Sequence, residues 1–247
     1  MYSERIFILL LVSIMCAGWL SGCIIAVPFS CSMEQVIGSG NIGTREREVP
    51  EFNRIHLKGT GRLILDRGDM TTVSIKTDDN ILPLIKTEVK GNILEISHES
   101  FNLSPTTLEF YITVKELKGL SISGSGDVVG QSLFTMEEFE AVIKGSGDMR
   151  LAVDVSRLIA EISGSGSMVL TGEADDFEAS IRGSGDIRAH RYVARHATVS
   201  IAGSGNCQLG VVESLRADIS GSGDVIYAGR PRVESHIRGS GSVKAEN

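Results

Sequence analysis

Residues 158–187 read Leu158-Ile159-Ala160-Glu161-Ile162-Ser163-Gly164-Ser165-Gly166-Ser167-Met168-Val169-Leu170-Thr171-Gly172-Glu173-Ala174-Asp175-Asp176-Phe177-Glu178-Ala179-Ser180-Ile181-Arg182-Gly183-Ser184-Gly185-Asp186-Ile187. On both sides of each Gly-Ser-Gly the apolar positions recur every second residue, the mark of strands with one face inward. The pattern repeats widely. Gly-Ser-Gly stands at 124–126, 145–147, 164–166, 183–185, 203–205, 221–223 and 239–241, at intervals of 21, 19, 19, 20, 18 and 18 residues. Two residues before the first Gly stand Ile122, Ile143, Ile162, Ile181, Ile201, Ile219 and Ile237, and four after it Val128, Met149, Met168, Ile187, Cys207, Val225 and Val243.

A unit of this length holds two or three short strands and cannot close a core alone. Stacked equivalents bury it, each strand pairing in parallel with the next at ~4.8 Å. The expected fold is all-β: a parallel β-helix, or solenoid, of ~19-residue coils with an isoleucine stack inside, right-handed because parallel crossovers are. Glycine at the corner admits φ > 0 and lets coils pack backbone on backbone, and the serine between can form a hydroxyl ladder. Cys207 fills an inward slot and is expected to be a small buried hydrophobe.

The residue after the second Gly reads Asp127, Asp148, Ser167, Asp186, Asn206, Asp224 and Ser242. Carboxylates there cap turns. A weak calcium ladder is the alternative, but three of the seven places are neutral and the period is about twice that of nonapeptide calcium repeats. Lys144 and Arg182 precede the corners carrying Asp148 and Asp186, which suggests local charge compensation. Arg188-Ala189-His190-Arg191-Tyr192 and Gly229-Arg230-Pro231-Arg232 are the basic-aromatic spots expected to be most exposed.

Upstream, residues 48–119 are less regular but strand-rich. Strand-like runs fall at 54–57, 62–65, 73–75, 93–96 and 108–114. Gly91-Asn92 and Gly68-Asp69 look like hairpin turns, and Asn80–Ile85 could start a short helix. Gly38-Ser39-Gly40 and Gly59-Thr60-Gly61 are earlier relatives of the corner. This part is expected to begin the solenoid and cover its first open end, continuous with the regular repeats at 120–247. A bare last coil would offer an unpaired strand edge, so self-association through the C-terminal end is expected.

The chain opens Met1-Tyr2-Ser3-Glu4-Arg5 and continues in an apolar run from Ile6 to Leu20, too short for a comfortable membrane span and suited to a secretory signal. It ends in Leu20-Ser21-Gly22-Cys23, which resembles the bacterial lipobox. Residues 1–22 therefore read as a lipoprotein signal peptide, Cys23 as the lipidated residue, and 23–47 as that residue with a tether. Ile24 after the cysteine, in place of Asp, favours the outer membrane.

Composition narrows the function. The 247 residues carry 24 Lys+Arg against 31 Asp+Glu, a net charge of −7 that argues against nucleic acid. Aromatics are 5%, too few for a wide sugar-stacking groove, and the four cysteines form neither a disulfide framework nor a zinc spacing. His56, His98, His190, His196 and His236 occupy non-equivalent repeat positions, so no histidine site is built by the repeat, and no catalytic residue or cofactor is expected.

Lipobox, irregular strands and serial Gly-Ser-Gly-Asp corners, with the opening Phe52-Asn53-Arg54-Ile55-His56-Leu57-Lys58-Gly59-Thr60-Gly61, resemble the auto-transporter adhesin "head GIN domain" family of bacterial envelope proteins over roughly residues 48–240. The resemblance implies a β-helix akin to the pectin-lyase type without a catalytic constellation, and a role in adhesion. The chain departs from the pattern at Arg62, where Asp is usual, and at the Ser and Asn corners. The expected function is a lipid-anchored, non-enzymatic envelope protein offering an adhesin-like surface to a protein or glycan. A periplasm-facing scaffold or sensor partner is the alternative, and a carbohydrate-active β-helix enzyme the third reading.

Overall fold

The computed structural model describes residues 35–98 and 102–246, which belong to one compact unit. Cys23, Cys31 and the signal segment lie outside the described residues. The N-terminal strands are β1 (Val36–Ile37), β2 (Ile42–Glu46), β3 (Arg54–Gly59), β4 (Arg62–Arg67), β5 (Thr72–Asp78), β6 (Ile85–Lys90), β7 (Ile93–His98), β8 (Leu103–Ser104) and β9 (Leu108–Val114). A single 3₁₀ turn, Leu82–Leu84, falls in the Asn80–Ile85 segment. The repeats follow as β10 (Gly119–Gly124), β11 (Asp127–Gly145), β12 (Asp148–Gly164), β13 (Ser167–Gly183), β14 (Asp186–Gly203), β15 (Cys207–Gly221), β16 (Asp224–Ala228), β17 (Arg232–Gly239) and β18 (Ser242–Ala245).

The repeats form a parallel β-solenoid. Each coil from β11 to β15 is one uninterrupted strand of 15 to 19 residues, not two or three short ones, because the bends along it keep the inter-coil ladder bonded. The register is the one the sequence repeat demands: Ile122, Ile143, Ile162, Ile181, Ile201, Ile219 and Ile237 are successive partners. The first six are at most 2% exposed, whereas Ile237 in the last coil is 42% exposed. Differences in coil length are absorbed away from the corner. The two extra residues of the 21-residue coil lie between Val129 and Leu133, and the extra one of the 20-residue coil falls opposite the step from Val169 to Thr171.

The corners explain the glycines. The first Gly of each has φ between +125° and +137°, closed to other residues. From Gly145 to Gly239 a Cβ there would lie 2.1–2.4 Å from the carbonyl oxygen of the equivalent Gly one coil earlier. Ser146, Ser165, Ser184, Ser204, Ser222 and Ser240 each donate a backbone N–H to that same oxygen, at 2.8–2.9 Å. Among the described residues it is this serine N–H to glycine C=O bond, and not a hydroxyl ladder, that links successive corners.

The N-terminal part starts the solenoid and covers its end. β3 and β4, joined by Gly59-Thr60-Gly61, form a coil of their own, with Gly59 opposite Gly124. The chain then leaves to build the layers beneath and returns at Gly119. β7 pairs with β3 and β9 with β4, both in parallel; the β6–β7 hairpin turns at Gly91-Asn92, and β5 and β2 add antiparallel beyond β9. Two expectations change here. Gly68-Asp69 is no hairpin turn, because β4 and β5 flank β9 on opposite sides and the connection crosses that strand's end, Gly68 N–H donating to Val114 O at 3.0 Å. Gly38-Ser39-Gly40 is no coil corner either: its second Gly, not its first, has positive φ, and it is held by Asp78, Asp79 and Asn80.

Candidate binding surface

Inward and outward side chains alternate along each coil except at its bends, where two outward residues follow one another as at Ser156-Arg157 and Asp175-Asp176, and the outward positions in register form columns with their equivalents in neighbouring turns. Asp127, Asp148, Asp186 and Asp224 share one such column. In it a side-chain oxygen reaches the next coil: Asp127 Oδ1 accepts from Asp148 N–H at 3.3 Å and Asp148 Oδ1 from Ser167 N–H at 3.2 Å. Asp186 Oδ1 accepts from the backbone and side-chain N–H groups of Asn206, both at 3.0 Å. Asn206 Oδ1 takes Asp224 N–H at 3.0 Å, and Ser242 Oγ–H donates to Asp224 Oδ1 at 2.6 Å. The Ser242 bond, outweighing burial, holds the Asp224 carboxyl below its ordinary range. Asn206 and Ser242 serve the column as well as Asp does, Asn206 with both an oxygen and a donor and Ser242 with a donor to Asp224. Among the described residues no cluster of three or more metal-capable side chains forms.

Charge compensation in this column differs from expectation. Asp186 is paired with Arg188, 3.4 Å away, and not with Arg182. The corner between Arg182 and Asp186 turns the chain, whereas Arg188 is two residues further along the same strand face. The basic-aromatic spot at 188–192 also changes character. Tyr192 is fully buried; its ring centroid lies 5.5 Å from that of Phe177, and its hydroxyl donates to Glu173 O at 2.9 Å. Burial pushes its phenol well above the ordinary value. The residue added to this coil puts Tyr192 in register with Gly172, where the ring finds room inside. Cys207 is buried as expected, and burial pushes its thiol up to about 12, far from a reactive thiolate.

Two histidines contact serines: His56 Nε2 and Ser123 Oγ are 2.8 Å apart, and His196 Nδ1 and Ser214 Oγ 2.9 Å. Burial, then the charge of Lys58, lowers the His56 pKa. Both serines stand on strands paired on each side, so the backbone amides around them are engaged with neighbouring coils. Arg195 bonds Glu213 at 2.8 Å and approaches Asp175 at 3.5 Å, and Arg216 bonds Asp218 at 3.1 Å with His236 on its other side at 3.4 Å.

The last coils carry the feature that reading along the chain passes over. Ser180 and Ser200 stack in one outward column and Ala202 and Ser220 in the next, so four small side chains form a floor. Arg182, Arg216, Asp218, His236 and Arg238 rise around it and enclose a groove of about 350 Å³. The signal was present in the row before the corner, Arg182, Ala202, Ser220, Arg238, and becomes visible only when coils are stacked side by side.

Comparison with solved structures places this architecture. A putative adhesin from Bacteroides fragilis NCTC 9343 superposes with a TM-score of 0.80 at 27% identity, covering 85% of this chain and all of that one. A protein from Parabacteroides distasonis ATCC 8503, described as a putative lipid binding protein, gives 0.76 at 27% identity over 87% of this chain and all of its own. A putative adhesin from Parabacteroides merdae ATCC 43184 shares the fold, with a TM-score of 0.69 at 21% identity over 86% and 99% of the two chains. A search of curated proteins gave no match. The family model described as "Putative auto-transporter adhesin, head GIN domain" matches residues 51–231, most of the solenoid and its N-terminal cover, and the chain belongs to that family.

Proposed function

We propose that this protein is a lipid-anchored, non-enzymatic adhesin of the bacterial envelope whose solenoid faces bind a ligand outside the cell. The observation that carries the reading is the construction of the coils. Backbone and an apolar stack fix each turn against the next, which leaves the outward columns free to vary in size and charge over an extended, rigid face. Family membership and the adhesin-named structural relatives support it. Leu20-Ser21-Gly22-Cys23 supplies the anchor, with lipid on Cys23 and the outer membrane as its destination.

In this reading no metal is needed, because Asp127, Asp148, Asp186 and Asp224 already serve neighbouring amides and hydroxyls. Displaying the full chain on a non-adherent bacterium tests the proposal. Adherence to epithelial cells or matrix proteins above the empty-vector level is expected, and adherence no better than that control overturns it. Metabolic labelling with an alkyne fatty acid tests the anchor: label is expected on the native chain and absent from Cys23→Ser.

A further inference from the structure

We propose that the groove over Ser180, Ser200, Ala202 and Ser220 is the ligand site of this surface and that it takes an acidic saccharide. The inference rests on the adhesin reading and names the face and ligand class that reading leaves open. The groove exists because side-chain size changes abruptly between coils. Arg182 pairs in the ladder with Ala202, Ala202 with Ser220, and Ser220 with Arg238, so two long cationic side chains flank a gap two small residues wide. Three coil steps of ~4.8 Å set the two arginines about 14 Å apart along the stack.

The electrostatics favour an anion. Asp218 is the one acidic side chain lining the groove, and it is engaged by Arg216 at 3.1 Å and His236 at 3.4 Å. Arg182 and Arg238 are exposed, and among the described residues neither makes an ion pair or a side-chain hydrogen bond. Two uncommitted guanidiniums on a chain of net charge −7 are a local inversion of sign. Guanidinium presents a planar fork of donors that matches carboxylate and sulfate geometry.

The floor favours a sugar over a bare anion or an acidic peptide. Ser180, Ser200 and Ser220 offer hydroxyls that both donate and accept, suited to ring hydroxyls, and Ala202 leaves room for a ring to approach the sheet. The charges are separated along the stack rather than clustered, which fits anionic groups borne on successive units of a linear oligosaccharide.

The test is a titration of the full chain, at physiological ionic strength, with three probes: an oligogalacturonate, a heparin-derived hexasaccharide and neutral maltohexaose. The carboxylate and sulfate arms distinguish the two sources of charge. Binding of at least one acidic probe without maltohexaose binding is expected, with a tenfold or greater loss in R182S/R238S and none in R157S, which removes an exposed arginine outside the groove. Unchanged melting of the variants shows that the fold is intact. Failure of both acidic probes to bind overturns the proposal, as does equal binding by R182S/R238S, or equally tight binding of a poly-glutamate peptide of matched charge. Cells displaying R182S/R238S separate this from the broader reading. Full adherence by that variant removes the groove but keeps the adhesin, whereas loss of adherence by the variant alone supports both.

Discussion

Between Gly124 and Gly239 neighbouring coils meet through backbone and a stack of isoleucines, and the ion pairs that cross between coils, such as Arg195 with Glu213 and Arg157 with Glu178, lie on the exposed outer face. From Gln35 to Lys118 the contacts are of another kind. Asp78, fully buried, accepts from Gly40 N–H and Thr106 N–H, both at 2.8 Å, and Asn80 holds Ser39 N–H and Ile37 O. Glu95 is gripped by Lys58 at 2.7 Å and Lys90 at 2.8 Å, and Glu109 by Lys76 at 3.1 Å. A repeat can be stabilised by whatever recurs, and backbone recurs everywhere. An end occurs once and needs specific polar pairs to fix a non-repeating arrangement. The difference also frees the outer faces of the coils for variation, which is what a binding surface requires.

The largest expected effect lies at the corners. In Gly164→Ala a Cβ would stand 2.2 Å from Gly145 O at φ +134°, with backbone on both sides and nowhere to move. A loss of more than about 4 kcal/mol is expected by chemical denaturation. Gly40→Ala, in the same tripeptide but with nothing within 4 Å of the added carbon, should cost only about 1 kcal/mol from its φ of +81°. Equal losses would erase the distinction between corner and cover.

The isoleucine stack gives a second contrast. Ile181→Ala empties a fully buried site and should cost about 3 kcal/mol. Ile237→Ala, in the same column but 42% exposed, should cost roughly a third of that or less.

Acid should act on the cover before the coils. The hydrogen bonds from Lys58 and Lys90 depress the Glu95 carboxyl to about 2, and those from Tyr111 and Lys76 depress Glu109. At Asp78 burial works the other way, but bonds from Gly40 and Thr106 outweigh it, and the net shift is down. A carboxyl lowered in the folded state contributes stability above its unfolded pKa, and that contribution fades as pH falls through the folded value. For Glu95 the window runs from about 4.5 down to about 2. Hydrogen exchange across this range should accelerate in β2, β5, β6 and β7 first. Exchange rising first in β12–β14 would contradict the division.

Smallest is the aspartate column. Asp186→Ala removes the acceptor for two N–H groups of Asn206 and should cost about 1 kcal/mol. Melting curves in millimolar calcium and in chelator should coincide. A calcium-dependent rise in melting temperature would turn the column from a hydrogen-bonded edge into a cation ladder.

How much of this was legible in the sequence follows the same line. The corners and the inward stack could be read from spacing, because a backbone contact repeated seven times leaves seven glycine pairs. In the cover the strand runs and the Gly91-Asn92 turn could be read too, but the pairing could not. Its strands alternate as the coils do, but which strand pairs with which is decided by distant partners, so Gly68-Asp69 reads as a local turn although it crosses the end of β9. The same tripeptide, Gly-Ser-Gly, makes a coil corner at 164–166 and an aspartate-held turn at 38–40, because the surroundings and not the triplet set its role. Tyr192 reads as exposed beside Arg188 and Arg191, yet one added residue shifts it inward. The groove lay in plain view as Arg182, Ala202, Ser220 and Arg238, four letters that are neighbours only across coils.

If the solenoid faces act at the cell surface, antibodies and protease added to intact cells, with lysed cells as control, will reach them. The coils should be labelled and cleaved on whole cells. Protection until the outer membrane is broken would contradict it and give the protein a periplasmic role.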